Sequence, residues 1–302
     1  MLYNKPATTI QAQIQLLRQR GLAINDLSQA EHFLRNISYY RLEGYWWTMQ
    51  SDKVNHVFKP NNSFDDVIQL YNFDRELRLL VFDVIERIEI GLRTRLIYHL
   101  SHEAGPWWFE DAANFKQSVT HTDTLISIDR ELRQSKDTFI KTHYLKYHKD
   151  TRRPPAWKTL EVASFSTLSK LYGNLSPSLK SKDLIAAELN TVNHSYLPSW
   201  LQSIAQIRNI CAHHGRLWNK NLPGIPKLLP KPPAPWLNQV PTRQEFHKLY
   251  IHVCCMKYLL DSISPGHHFM PKLADLFIKY PTVDLHALGF YKNWKNEPLW
   301  LK

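Results

Sequence analysis

From Phe64 to about His102 the chain repeats apolar residues at helical spacing without a break: Val67, Leu70, Tyr71, Phe73, Leu77, Leu80, Val81, Val84, Ile88, Leu92 and Leu96. Ser63-Phe64-Asp65-Asp66 reads as a capping-box start, and Gly105-Pro106 as a stop. The pattern predicts one long helix. Its opposite face pairs acids and bases at i,i+3 or i,i+4 spacing, among them Asp83, Glu86, Arg87, Glu89, Arg93 and Arg95. Most of that face reads as solvated, with Glu86 and Glu89 placed to orient a basic side chain from another helix. Glycine is scarce, at 9 of 302 residues, which disfavours turn-dense β architecture and phosphate-cradling loops. Neither a GxGxxG nor a GxxxxGK[ST] pattern occurs, so no nucleotide cofactor is expected.

The remaining segments point to an all-α fold. Helices are expected over Pro6–Arg20 and from Asn25 or Asp26 onward. The run ISYYRLEGYWWTM reads as aromatic packing, or else as a stacking surface for bases. Ser51–Asn62 reads as a loop or short hairpin. After a polar helical pattern over Asn114–His148, further helices are predicted at Trp157–Leu175 and Lys180–Leu189. Leu222–Pro241 holds seven of the 18 prolines and is expected to cross the surface extended, its apolar residues packed down. Helices over Thr242–Ser264 and Phe269–Tyr280 complete the chain, giving three expected parts at 1–62, 63–220 and 221–302.

Net charge is +11, which favours a polyanion partner. Three cysteines form no disulfide framework, and no apolar run has the length of a membrane span, so a reduced cytoplasmic setting without membrane contact is expected. In the basic loop HKDTRRPP, Lys149, Arg152 and Arg153 are candidates to touch RNA phosphates, the alternative being an exposed solubilising loop.

Chemistry concentrates in SWLQSIAQIRNICAHHGRLWNK, from Ser199 to Lys220. Leu201, Ile204, Ala205 and Ile207 give it one apolar face, Pro198 and Ser199 suit its start, and Gly215 the residue past its end. Asn209 and His213, four apart, share a face, whereas Arg208 and His213 diverge by roughly 140°. Spacing alone is equally served by an arginine capping an interhelical contact and histidines at a helix C-terminus. A zinc site at Cys211, His213 and His214 matches no closed-site spacing, so no metal is expected.

Arg208-Asn209-Ile210-Cys211-Ala212-His213 resembles the Arg-polar-x-x-x-His signature of HEPN-superfamily ribonucleases. The longer RNICAHHGRLWN is similar to the motif of the bacterial abortive-infection (Abi, AbiD/AbiF-like) family. KPATTIQAQIQLL, ISYYRLEGYWW, LYNFDRELR and PPAWKTLEVASFSTLSKLYGNL extend the likeness over most of Lys5–Asn219. The resemblance implies a HEPN-like helical bundle with an N-terminal helical extension and a proline-rich crossing segment before the C-terminal helices. It further implies a metal-independent endoribonuclease of phage defence, with Arg208, His213 and Asn209 catalytic and a composite site across a homodimer. His214 and Arg216 would contact RNA or support the site, and Glu86 would orient it. Two alternatives remain from other classes. One is a non-catalytic module that binds a structured small RNA or senses phage RNA, and the other is a toxin acting through protein contacts.

Overall fold

The computed structural model describes residues 2, 4, 6–239, 241–242 and 244–301. Met1, Tyr3, Lys5, Val240, Arg243 and Lys302, which fall within segments assigned above, lie outside the described residues. The fold is mostly α, with twelve α-helices and one two-stranded hairpin among the described residues. In order these are α1 (Ile10–Gln19), α2 (Leu27–Ile37), α3 (Tyr39–Trp46), the antiparallel strands β1 (Gln50–Asp52) and β2 (Val57–Phe58), and α4 (Phe64–Ala104). There follow α5 (Ser118–Gln134), α6 (Thr138–Lys146), α7 (Ala156–Thr159), α8 (Phe165–Asn174), α9 (Lys180–Glu188), α10 (Leu197–Ala212), α11 (Leu249–Ile263) and α12 (Phe269–Lys279).

The long helix forms as its pattern predicts. The Ser63 Oγ accepts the Asp66 N–H at 3.2 Å and the Asp66 carboxylate accepts the Ser63 N–H at 2.8 Å, the reciprocal bonds of a capping box. Gly105, at φ +85°, turns the chain out of α4 through the left-handed region. Two expectations need correction. The helix predicted over Trp157–Leu175 is divided into α7 and α8, because Ser164 goes extended and its hydroxyl caps α8 by accepting the Thr167 N–H at 3.3 Å. The helix expected from Thr242 starts only at Leu249, after an extended Lys248.

The chain divides into two compact units, and the division falls inside α4 and α12. The first comprises the described residues up to Leu77 together with Ala274–Val283. Its interior takes Tyr45 and Trp46 from the aromatic run, while Tyr40 stays 85% exposed. The Tyr45 hydroxyl donates to the buried Asp74 carboxylate at 2.7 Å, and Trp46 meets Tyr39 edge-on at 4.9 Å. Glu76 receives Lys279 at 2.7 Å and the Tyr280 hydroxyl at 2.8 Å, which binds the C-terminal segment into this unit.

The second unit runs from Arg78 to Leu273 and resumes at Asp284. Its centre is the pair α8 and α10. Ser166 meets Asn209 at one end and Gly173 approaches Pro198 at the other, so the two helices run antiparallel. The proline-rich segment packs down as expected: Trp236 stacks on Trp200 of α10 with centroids 5.4 Å apart, and Tyr258 of α11 sits edge-on to both rings. The buried Glu297 carboxylate accepts the backbone N–H groups of Asn238 and Gln239 and the Tyr291 hydroxyl, tying the segment to the C-terminal tail. Cys254 and Cys255 are buried thiols. No helix among the described residues is long and apolar enough to cross a membrane.

Candidate active site

Helix α10 delivers its polar cluster because its two ends are fixed differently. Pro198 occupies the first turn, where a missing N–H costs nothing, and Trp200, Leu201, Ile204 and Ile207 bury one face completely. Ser203, also buried, hydrogen-bonds the Nδ1 of His252 on α11, an interior polar link between the two helices. At the C-terminus the Gly215 N–H reaches the Ile210 carbonyl at 2.7 Å and the His214 N–H the Cys211 carbonyl at 3.0 Å. These are the two bonds of a Schellman motif, which satisfies the last carbonyls of the helix. The residue in the left-handed position is therefore His214, at φ +56°, and not Gly215. Glycine at 215 serves a different need, since a Cβ there would lie 3.1 Å from the Ile210 side chain and 3.2 Å from its carbonyl oxygen.

His213 caps the helix and its side chain is exposed, as is Asn209 one turn earlier. Arg208 is half-buried and turns to α4. Its Cζ lies 5.8 Å from the Phe82 ring centroid and its Nε 3.9 Å from a Glu89 oxygen. That distance is an ion pair and not a hydrogen bond. The other Glu89 oxygen takes Arg93 at 2.8 Å, and Arg93 also donates to the Ala163 carbonyl at 3.1 Å. The Arg208 Nε is shielded from solvent without a hydrogen-bond acceptor. Of the two glutamates singled out on α4, Glu89 stands beside the arginine and Glu86 is exposed to solvent. His214 is exposed and Arg216 half-buried.

Asn209 belongs to a second feature. Its Nδ2 donates to the Ser166 hydroxyl at 3.3 Å, and both residues line a cleft of about 540 Å³ along the seam of α8 and α10. Ser166, Ser169 and Gly173 keep the α8 wall low, while Gln202 and Gln206 stand on the α10 wall. Lys116, just before α5, and Lys170 supply the charge. The floor is built by Asn174, whose side-chain amide donates to the Gln117 carbonyl at 2.9 Å and accepts the Gln117 N–H at 3.0 Å. Sequence reasoning missed this cleft, although the series Gln202, Gln206, Asn209 and His213 carries its helical spacing openly.

The basic loop is organised separately. Arg153 holds Asp129 in a two-pronged bond of 2.6 and 2.8 Å and reaches Glu110 at 3.5 Å. Arg152 bonds Asp150 at 2.7 Å and lays its guanidinium 3.5 Å from the Trp107 ring centroid. That hydrogen bonding holds the Asp150 carboxyl down at about 2. Lys149 is exposed. Among the described residues no three His, Cys, Asp or Glu side chains cluster as a metal site requires.

The sequence model of the family described as Abi-like protein matches residues 32–219, from within α2 through the whole α10 cluster. No curated protein and no solved structure matches the chain.

Proposed function

Because the chain belongs to the Abi-like protein family, which points to abortive infection in phage defence, we propose that it acts as a metal-independent, HEPN-type endoribonuclease. The observation that carries this reading is the state of the α10 terminus. Within six residues it carries an exposed imidazole, an exposed amide and a half-buried guanidinium whose Nε has a carboxylate near it but no acceptor bonded to it. RNA carries its own nucleophile, so such a group set is chemically sufficient. A base takes the proton of the 2′-hydroxyl, whose oxygen attacks phosphorus. The P–O5′ bond then breaks, and the leaving oxygen takes a proton from an acid. His213 acts as base or acid, and a second copy of α10 across a homodimer supplies the other imidazole. Arg208 offsets charge on the phosphorane and Asn209 orients the phosphate or His213. Glu89, shared with Arg93, restrains Arg208 without capturing it. The products carry a 2′,3′-cyclic phosphate and a 5′-hydroxyl.

Incubating the protein with RNA and mapping end chemistry tests this. His213→Ala is expected to lower cleavage by roughly 10²- to 10⁴-fold with folding intact, and a chelator to leave the rate unchanged. Undiminished cleavage by folded His213→Ala would remove the proposed acid/base. A second reading, RNA binding without cleavage, draws on the charge of +11 and the cationic cleft. Retained binding with no cleavage by either wild type or Arg208→Ala selects it.

A further inference from the structure

We infer that the α8/α10 cleft is the groove that feeds single-stranded RNA to the α10 terminus, with Lys116 and Lys170 on backbone phosphates and the exposed Gln202 facing bases. This deepens the ribonuclease reading and rests on it for the identity of the ligand.

The lining argues for the ligand class. It holds two lysines and no carboxylate, and the rest is mostly amide and hydroxyl, with no aromatic residue and no large aliphatic one. Small-molecule pockets are usually lined predominantly by hydrophobic and aromatic side chains, which this cleft is not, while its volume of about 540 Å³ lies within their usual range. Amides serve base edges with donors and acceptors, and lysines serve phosphates as point charges. The Lys116 and Lys170 side chains are exposed, and neither is drawn to an acid in the cleft.

Direction argues for the connection. On α10 the cleft is lined by Pro198, Gln202, Ala205, Gln206 and Asn209, a single face about 16 Å long, and the next position on that face is His213. Asn209 thus stands at the junction of cleft and cluster. At the far end Lys182 lies buried behind Lys116, its Nζ bonded to the Leu175 carbonyl at 2.7 Å. Burial and the Lys116 charge together lower its pKa to about 8. A phosphate at Lys116 would offset that repulsion.

The test is fluorescence anisotropy of full-length protein with a labelled single-stranded oligonucleotide carrying 2′-O-methyl sugars, which cannot be cleaved, across a salt series. For single strands each phosphate contact contributes about 0.7 to the slope of log K against log salt. Lys116→Ala/Lys170→Ala is expected to reduce that slope by about 1.4 and to raise KM for cleavable RNA with kcat unchanged. Lys136→Ala/Lys141→Ala, which removes two exposed lysines outside the cleft, is expected to leave the slope in place. An unchanged slope in the cleft variant overturns the groove, and if His213→Ala still abolishes cleavage the nuclease stands without it. A reduced slope with a wild type that cuts nothing keeps the groove and discards the nuclease. A wild type that binds no RNA overturns both.

Discussion

Two basic stretches of this chain look alike on paper, Lys146–Arg153 and Arg208–Arg216, and the fold treats them in opposite ways. In the first, Arg153 is bonded at both prongs by Asp129 and Arg152 is bonded to Asp150 and stacked on Trp107, so most arginine charge is answered inside the protein. In the second, the nearest acid to Arg208 stands 3.9 Å away and is already bonded to Arg93, while His213 and Asn209 face solvent. Cationic composition therefore measures what a chain contains, not what it offers to a ligand. An offered charge is one whose local acids are missing or occupied.

Substitutions at both places sharpen or break this contrast. The largest expected effect is on Arg208: alanine should lower cleavage by roughly 10²- to 10³-fold, and lysine should not restore it, since a point charge lacks the planar fork. Equal loss per folded molecule on replacing Arg153 would erase the distinction. Next in size is the anchoring of α10 through His252, whose burial, together with the nearby His247, lowers its pKa to about 4. An unfolded histidine titrates near 6.5, so between about 6.5 and about 4 the unfolded chain binds the proton and the native state does not. Stability should fall by about 3 kcal/mol across that window on acidification, and His252→Gln should flatten this dependence in denaturant titrations read at several pH values. Arg153→Ala should cost about 1 kcal/mol, because the bonded pair is part-exposed and screened, with cleavage per folded molecule retained. The smallest effect has the opposite sign. His214→Gly should raise the denaturant midpoint by the equivalent of about 0.5 kcal/mol, since glycine takes the left-handed position without strain.

Much of the architecture was legible because it is written locally. The bonds of Ser63 with Asp66, the stripe of α4 and the start of α2 at Asp26 involve residues close in sequence, and each forms where its pattern places it. The break between α7 and α8 was not, because a serine at position 164 suits a helix surface nearly as well as a cap. Within the candidate site, Arg208, Asn209 and His213 were found by resemblance, their spacing fitting a bland helix end equally well. Glu86 and Glu89 could not be ranked, being three apart on one face, and only the approach of α10 separates them. Arg153 meets partners 24 and 43 positions away, beyond any local pattern. The cleft was invisible for the same reason, being assembled from the edges of three segments.

Gly173, in the low wall of that cleft, has a consequence of its own. A methyl group there would meet only Pro198, at an ordinary 3.8 Å, and φ lies outside the left-handed region, so neither space nor backbone demands glycine. Alanine would fit and would firm the helix by about 1 kcal/mol. What the bare α-carbon preserves is emptiness. The molecule forgoes rigidity at this position and keeps a hollow, which makes Gly173 a natural dial for trading passage through the seam against robustness.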